Sequence, residues 1–77
     1  MSTPSLSTIR RGFQQNVGRP VELTASSRRR PWRQTGVLEG AYASVFTVAV
    51  PAEEGTLRLS YTYADVLTKT VRVRALR

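Results

Sequence analysis

The chain has 77 residues, 40% of them hydrophobic, and a formal net charge of +7. This length favours a single domain with a small core, and the hydrophobic content argues against a disordered chain. Histidine and cysteine are both absent, which excludes disulfides, thiolate metal sites and the side chains most often used as general bases and thiol nucleophiles. We therefore expect a protein that is not an enzyme and that uses no metal or other cofactor.

The sequence also bears on location. The longest mostly apolar run, Val45 to Ala52, is far shorter than the roughly 20 residues that span a bilayer. The first residues show no basic segment followed by an apolar run, which is the pattern of a secretory signal. The expectation is a cytoplasmic protein with no membrane partner.

The first predicted element is an amphipathic helix over about residues 4–17. Thr3 and Pro4 resemble an N-cap followed by proline at the first helical position, and Ser5 is an alternative N-cap. The apolar positions recur at spacings of three, four and four residues: Leu6, Ile9, Phe13 and Val17. Gly18 suits a left-handed residue that ends the helix. We expect the helix to cover one end of a barrel; a membrane-surface or nucleic-acid-binding helix is the less favoured alternative.

Two strands are predicted next. Residues 21–25 alternate between apolar and polar side chains, and the odd-numbered residues are expected to point inward. A second strand runs from Trp32 to about Tyr42. Gly36 lies where the alternation of this strand slips, which indicates a glycine bulge that bends the strand across a barrel corner and exchanges its faces.

The remaining strands form the second half of the chain. The third is predicted over residues 44–50, where Pro51 ends it, and residues 52–55 form a hairpin connection. The fourth strand has an inward face of four large residues: Leu57, Leu59, Tyr61 and Tyr63. Residues 64–67 then interrupt the alternation, and their Asp65 suits a single 3₁₀-type turn. The fifth strand points two groups of side chains to opposite faces: Val71, Val73 and Ala75 inward, Arg72 and Arg74 outward.

One helix and five short antiparallel strands predict a mainly β fold. We expect a five-stranded SH3-like or Sm-like barrel over about residues 20–76, within a single domain that spans residues 1–77. A single turn between the last two strands is how SH3-like barrels join them. Closure would leave few exposed strand edges in so small a protein.

Five segments of the sequence together resemble a known family. They lie at residues 17–19, 28–29, 36–39, 42–46 and 60–68, and the last of them reads SYTYADVLT. On these segments the chain resembles the Veg family, small proteins of Gram-positive bacteria. Two positions depart from the family pattern, because Ala43 stands where the family usually has Pro and Ser27 stands where it usually has Gly.

The resemblance implies an SH3-like barrel and a role in gene expression. Specifically, it implies stimulation of biofilm-matrix production through relief of a repressor. It supplies no catalytic residues. The regulatory role is implied by the resemblance alone, since neither the periodicity nor the charge of the sequence points to it.

Positive charge is concentrated in residues 1–36, which carry seven Arg and one Glu, against a net charge of +1 for residues 37–77. The densest cluster combines four arginines with the tryptophan: Arg28, Arg29, Arg30, Trp32 and Arg33. Guanidinium groups bind phosphates through paired hydrogen bonds, and an exposed indole can stack on a base. This loop is therefore the predicted binding site, which Arg10, Arg11 and Arg19 extend if the helix packs nearby. The alternative is a solvated loop whose arginines stack on Trp32.

The tyrosines offer a second candidate site. Tyr42, Tyr61 and Tyr63, together with Trp32, could form an aromatic groove for a peptide. The favoured alternative is that the rings pack in the core and the hydroxyls lie at its rim.

We therefore predict a non-enzymatic regulatory module that acts by binding within a transcription pathway. Two partners compete as hypotheses: nucleic acid, bound directly by the arginine-rich loop, or an acidic regulatory protein, bound without any nucleic-acid contact. A third hypothesis is a self-associating structural protein, a homodimer in which free strand edges pair across a two-fold axis.

Overall fold

The computed structural model describes residues 5–25 and 32–76. These residues form an N-terminal helix, five antiparallel strands in one sheet, and a one-turn helix before the last strand. In chain order the elements are α1 (Leu6–Gln15), β1 (Pro20–Ala25), β2 (Trp32–Ala41), β3 (Val45–Ala52), β4 (Gly55–Thr62), α2 (Tyr63–Leu67) and β5 (Val71–Ala75). The predicted mainly β architecture with an N-terminal helix is confirmed.

The N-terminal helix begins at the alternative cap. The Oγ of Ser5 accepts a hydrogen bond from the backbone N–H of Thr8 at 3.2 Å, while Thr3 and Pro4 lie outside the described residues. α1 ends at Gln15, two residues earlier than predicted, because the side chain of Asn16 turns back and donates to the carbonyl of Gly12 at 2.7 Å. Gly18 has a φ of +91°, as expected for the left-handed residue after the helix.

The predicted apolar stripe of α1 packs only through its middle. Ile9 and Phe13 contact the core, whereas Leu6 and Val17 at the two ends remain largely exposed. Phe13 carries the main contact, since its ring lies 4.4 Å from that of Phe46, centroid to centroid. The helix therefore covers the core as predicted, but over about one turn.

The strands lie in the order β4-β3-β2-β1-β5, with β2 shared by two halves. Residues 32–37 of β2 pair with β1, and residues 37–41 pair with β3, so the two pairings overlap at Val37. β4 and β5 are the edges of the sheet, and no pairing joins them in the described part of the chain. The sheet is not closed by hydrogen bonds, so the predicted barrel is not confirmed.

The glycine bulge lies at a different glycine from the one predicted. The register of β2 against β3 slips between Leu38 and Gly40, and Glu39 is the extra residue. Gly36 has another role: it is buried beneath β3, where any Cβ would touch the backbone oxygen of Ala49. Both glycines allow a neighbouring group to approach the backbone closely, but only Gly40 lies where the faces of β2 are exchanged.

The end of β3 was also predicted wrongly. The strand continues through Pro51 to Ala52, which pairs with Gly55 across the predicted hairpin connection. Proline is tolerated here because Pro51 lies beyond Ala49, the last β3 residue that pairs with β2, so its missing N–H removes no bond to β2.

The junction between β4 and β5 is one turn of α-helix, where a 3₁₀ turn was predicted. Thr62 and Asp65 form a capping box: the Thr62 Oγ1 accepts from the backbone N–H of Asp65 at 3.1 Å, and the Asp65 Oδ2 accepts from that of Thr62 at 3.2 Å. Asp65 caps its own turn as expected. Tyr63, predicted to end the strand, is the first residue of α2.

The core lies on the inner face of the sheet and is covered by the two helices. Its buried residues come from α2 and from four strands, β1, β2, β3 and β5: Val21, Leu23, Ala25, Leu38, Phe46, Val48, Val50, Tyr63 and Val71. Leu57 of β4 was predicted to be inward but is 53% exposed. The reason is its place on an edge strand, near the turn of the β3–β4 hairpin. Neither described helix is long and apolar enough to cross a membrane.

Candidate anion-binding face

Three arginines of β2 and β5 lie together on the outer face of the sheet. Thr24 of β1 pairs with Arg33 on one side and with Arg72 on the other, so the three residues form one row across neighbouring strands. Since strands in a sheet are about 4.8 Å apart, the Cα atoms of Arg33 and Arg72, two strands apart, are separated by about 10 Å. Arg74 follows on the same face of β5, opposite Glu22.

Glu22 lies between two of these arginines. One carboxylate oxygen is 3.8 Å from the Nε of Arg33, and the other is 3.4 Å from an Nη of Arg74. Both guanidinium groups remain mostly exposed, and pairs of this kind contribute at most about 1 kcal/mol. We call these four residues the arginine face: Arg33, Arg72, Arg74 and Glu22. Their net charge is +2, and Glu22 binds its two arginine partners only weakly.

The predicted loop arginines adjoin this face in the sequence. Arg28, Arg29 and Arg30 lie outside the described residues, so their part in the site stays a prediction. The segment that contains them connects Ala25 to Trp32, and these two residues pair with each other directly beside the Thr24–Arg33 pair. The ion pair between Arg33 and Glu22 also shows that one predicted ligand-binding arginine has a partner within its own chain.

The arginines of the helix region lie elsewhere. Arg10 donates to the backbone oxygen of Ala43, at 3.4 Å, in the turn that follows the far end of β2. Arg19 lies beside Leu38, whose backbone N–H donates to the Arg19 carbonyl at 3.0 Å. Five residues of extended strand, about 17 Å, separate Leu38 from Arg33. α1, with Arg10 and Arg11, therefore packs away from Arg33. Arg19 lies only three residues before Glu22, so its part in the site stays a prediction.

Trp32 points to the inner face, opposite the arginines. It is half-buried and lines a shallow apolar groove of about 160 Å³ between the start of β2 and the edge strand β4. The other lining residues are Gln34, Val50, Leu57 and Leu59. None of the predicted tyrosines lines this groove.

The tyrosines divide between core and surface. Tyr63 is only 3% exposed and its hydroxyl donates to the carbonyl of Tyr42 at 2.7 Å, which matches the core interpretation. Tyr61 is half-buried and packs 6.2 Å from the ring of Phe46, while Tyr42 is 56% exposed. Burial raises the pKa of both the Tyr61 and the Tyr63 phenols; Asp65 raises the pKa of Tyr61 further, and Arg10 partly opposes the rise for Tyr63.

A comparison with protein families identifies the chain. The family model described as "Biofilm formation stimulator VEG" matches residues 4–74. The chain belongs to the VEG family. The match covers α1 and all but the last residue of the strands, and it confirms the resemblance seen in the sequence. Membership in the VEG family supports a biofilm-related regulatory role. No individual curated protein matches the chain.

Three residues of the arginine face, Glu22, Arg72 and Arg74, were not among the predicted site residues of this VEG-family chain. Arg72 and Arg74 were expected to face solvent, and they do, but only the pairing of β5 with β1 places them beside Glu22 and Thr24. The sequence did contain a usable signal. Once β1 and β5 are taken as neighbours, their alternation places Glu22, Arg72 and Arg74 on the same face.

Proposed function

We propose that this VEG-family protein is a non-enzymatic regulator that stimulates the expression of biofilm-matrix genes by binding nucleic acid through its arginine face. The pairing of Arg33, Thr24 and Arg72 across three strands carries the proposal, because it gathers guanidinium groups from distant parts of the sequence. The segment that contains Arg28, Arg29 and Arg30 is joined to the edge of this face. The family's role in biofilm formation supports the regulatory part.

The chemistry of the arginine face suits phosphate groups. Each guanidinium presents several N–H donors in a plane and can bind two phosphate oxygens at once. Glu22 holds Arg33 and Arg74 above the sheet when no anion is present, at distances of 3.8 and 3.4 Å, and a phosphate must compete with it. Contacts of this type recognise the phosphate backbone of the nucleic acid and give no information about its base sequence. The choice of target therefore comes from another source.

Fluorescence anisotropy with labelled random DNA and RNA tests the proposal. If the three arginines of the face and the three of the adjoining segment each neutralise a phosphate, affinity falls about a thousand-fold between about 50 and 200 mM salt. The double variant Arg33→Ala/Arg72→Ala should weaken binding and reduce the salt slope by about two.

The double variant Arg10→Ala/Arg11→Ala is the matched control, because it removes the same charge from α1, which packs away from Arg33. It should change the affinity much less. Equal losses in the two double variants would contradict a localised site, and wild-type affinity that persists at high salt would contradict phosphate binding. Capture of an acidic regulatory protein, with no detectable nucleic-acid binding, would favour the competing hypothesis that the protein acts by binding a regulator.

We also propose that the sheet is folded over as an SH3-like barrel. Three features support this: the order of the strands, the single helical turn between β4 and β5, and a β2 strand whose two halves pair with different neighbours. An experimental structure in which β2 bends by about a right angle and brings the two half-sheets face to face would support the assignment. A flat, extended sheet would contradict it.

A further inference from the structure

The outer edge of β4 is unpaired within the described residues. β4 runs from Gly55 to Thr62 without a bulge, and among the described strands it pairs with β3 alone. Its inner face continues the apolar groove beside Trp32, and Leu57 in that groove is 53% exposed. The strand therefore presents a regular hydrogen-bonding edge next to uncovered apolar surface.

The backbone groups that point to this edge can be identified. The backbone N–H of Tyr63 donates to the carbonyl of Ser44 at 3.3 Å, in the same register as the rest of the β3–β4 ladder. Because hydrogen-bonded pairs alternate along an antiparallel ladder, the odd-numbered residues of β4 bond to β3. The N–H and C=O groups of Arg58 and Ser60 consequently point away from β3, toward the open edge.

This edge has few of the features that normally prevent strand pairing. It contains no proline and no lysine, and its single charged residue, Arg58, is held by Glu39 with an Nε to Oε1 distance of 2.7 Å. By contrast, the other edge strand, β5, has only five residues, two of which are arginines. Of the two edges, β4 is thus the one suited to accept another strand.

We infer that β4 pairs with β4 of a second copy of this chain, antiparallel across a two-fold axis at Leu59. In this register Arg58 and Ser60 of opposite copies exchange hydrogen bonds, and the pair occurs twice. On the inner face Leu57 lies opposite Tyr61, and Leu59 lies opposite itself. The inner apolar row of one copy therefore continues directly into that of the other.

Neighbouring registers are less favourable. A shift of two residues in one direction places Arg58 opposite Arg58, which opposes like charges. A shift in the other direction places Leu57 opposite Tyr63, which belongs to α2 and is buried. The register centred on Leu59 is the one that uses the central part of the strand and opposes no like charges. Because the edge is complementary to itself in this register, a second copy of the chain is the partner that fits it.

Sedimentation velocity on the full chain at increasing concentration tests the inference, with Ser60 as the position to change. Its side chain is exposed in the single copy, and it lies opposite Arg58 in the pair. Ser60→Glu creates two attractive pairs and should tighten dimerisation by about 2- to 30-fold, and Ser60→Lys should weaken it by a similar factor. Gln14→Glu and Gln14→Lys, which place the same charges at an exposed position of α1, are the controls.

Salt separates this association from nucleic-acid binding. Each copy has a net charge of +7, so screening should strengthen dimerisation as salt rises, whereas nucleic-acid binding weakens. A wild-type chain that stays monomeric at all accessible concentrations would overturn the inference. So would Ser60 variants that shift the equilibrium in the same direction, or no more than the Gln14 controls. Dimers that respond only to changes on α1 would assign the interface to another surface.

Discussion

Tyr63 illustrates how a single residue can be undecidable in the sequence and unambiguous in the structure. An aromatic residue at the end of a strand is compatible with a peptide groove and with a core. Its partners decide between them: its ring lies 5.8 Å from that of Phe46, and its hydroxyl reaches the carbonyl of Tyr42. Both partners lie at least 17 positions away in the chain, so no local pattern contains this information.

Gly36 supports a prediction at the same scale. A Cβ at this position would touch the backbone oxygen of Ala49, which cannot move without disturbing the β3 ladder. We expect Gly36→Ala to lower the free energy of unfolding by about 1–3 kcal/mol, as in other overpacked cores. Chemical denaturation followed by circular dichroism measures the change.

The control is Gly12→Ala in the middle of α1, where nothing lies within 4 Å of the added methyl group. Because alanine favours a helix over glycine by about 1 kcal/mol, this variant should be more stable than the wild type. A Gly36→Ala variant as stable as wild type would show that the contact with Ala49 is not as close as described.

At the scale of elements, the single turn α2 depends on its capping box. A helix of five residues has few internal hydrogen bonds, and the reciprocal bonds between Thr62 and Asp65 satisfy two of its free N–H groups. Thr62→Ala removes one of them and should cost about 0.5–2 kcal/mol of stability, whereas Thr62→Ser should be nearly neutral. Equilibrium denaturation compares the two, and equal stabilities would contradict the role given to the cap.

An element could be predicted from the sequence where its structure depends only on residues close by in the chain. The inward set of β1, the hairpin at 52–55 and the cap at Asp65 depend on near neighbours, and all three are confirmed. The bulge and the end of β3 depend on which strand lies alongside. The sequence indicated that a glycine would bend β2, but only the pairing with β3 shows that Gly40, and not Gly36, lies at the slip.

At the scale of the whole molecule, the candidate site could be predicted from the sequence only in the parts that do not depend on which strands are neighbours. Charge and motif indicated the arginine-rich segment and the family, because both are properties of the sequence itself. The arginine face joins β2 with β5, strands that begin nearly 40 residues apart, and it became visible only when both were found to flank β1. The helix arginines were expected to extend the patch only if the helix packs nearby, and that condition depends on tertiary packing, which the sequence does not contain.

The stability of the molecule should decline at alkaline pH. Burial raises the pKa of Tyr61 and Tyr63 above their ordinary value of 10.0, so the folded state holds these protons more tightly than the unfolded state. The stabilisation is complete below about pH 10 and is lost as the pH rises through the raised values. Thermal denaturation in this range measures the effect. Tyr63→Phe should flatten the decline, and a wild-type stability that is constant across this range would contradict it.

Trp32 allows binding to this protein to be followed by fluorescence. It is the single tryptophan of the chain, it immediately follows the segment that contains Arg28, Arg29 and Arg30, and its ring lines the groove beside Leu57 and Leu59. Indole fluorescence responds to the polarity of its surroundings. The protein thus contains a natural optical reporter between its two proposed contact surfaces, and unlabelled material can signal the occupation of either one.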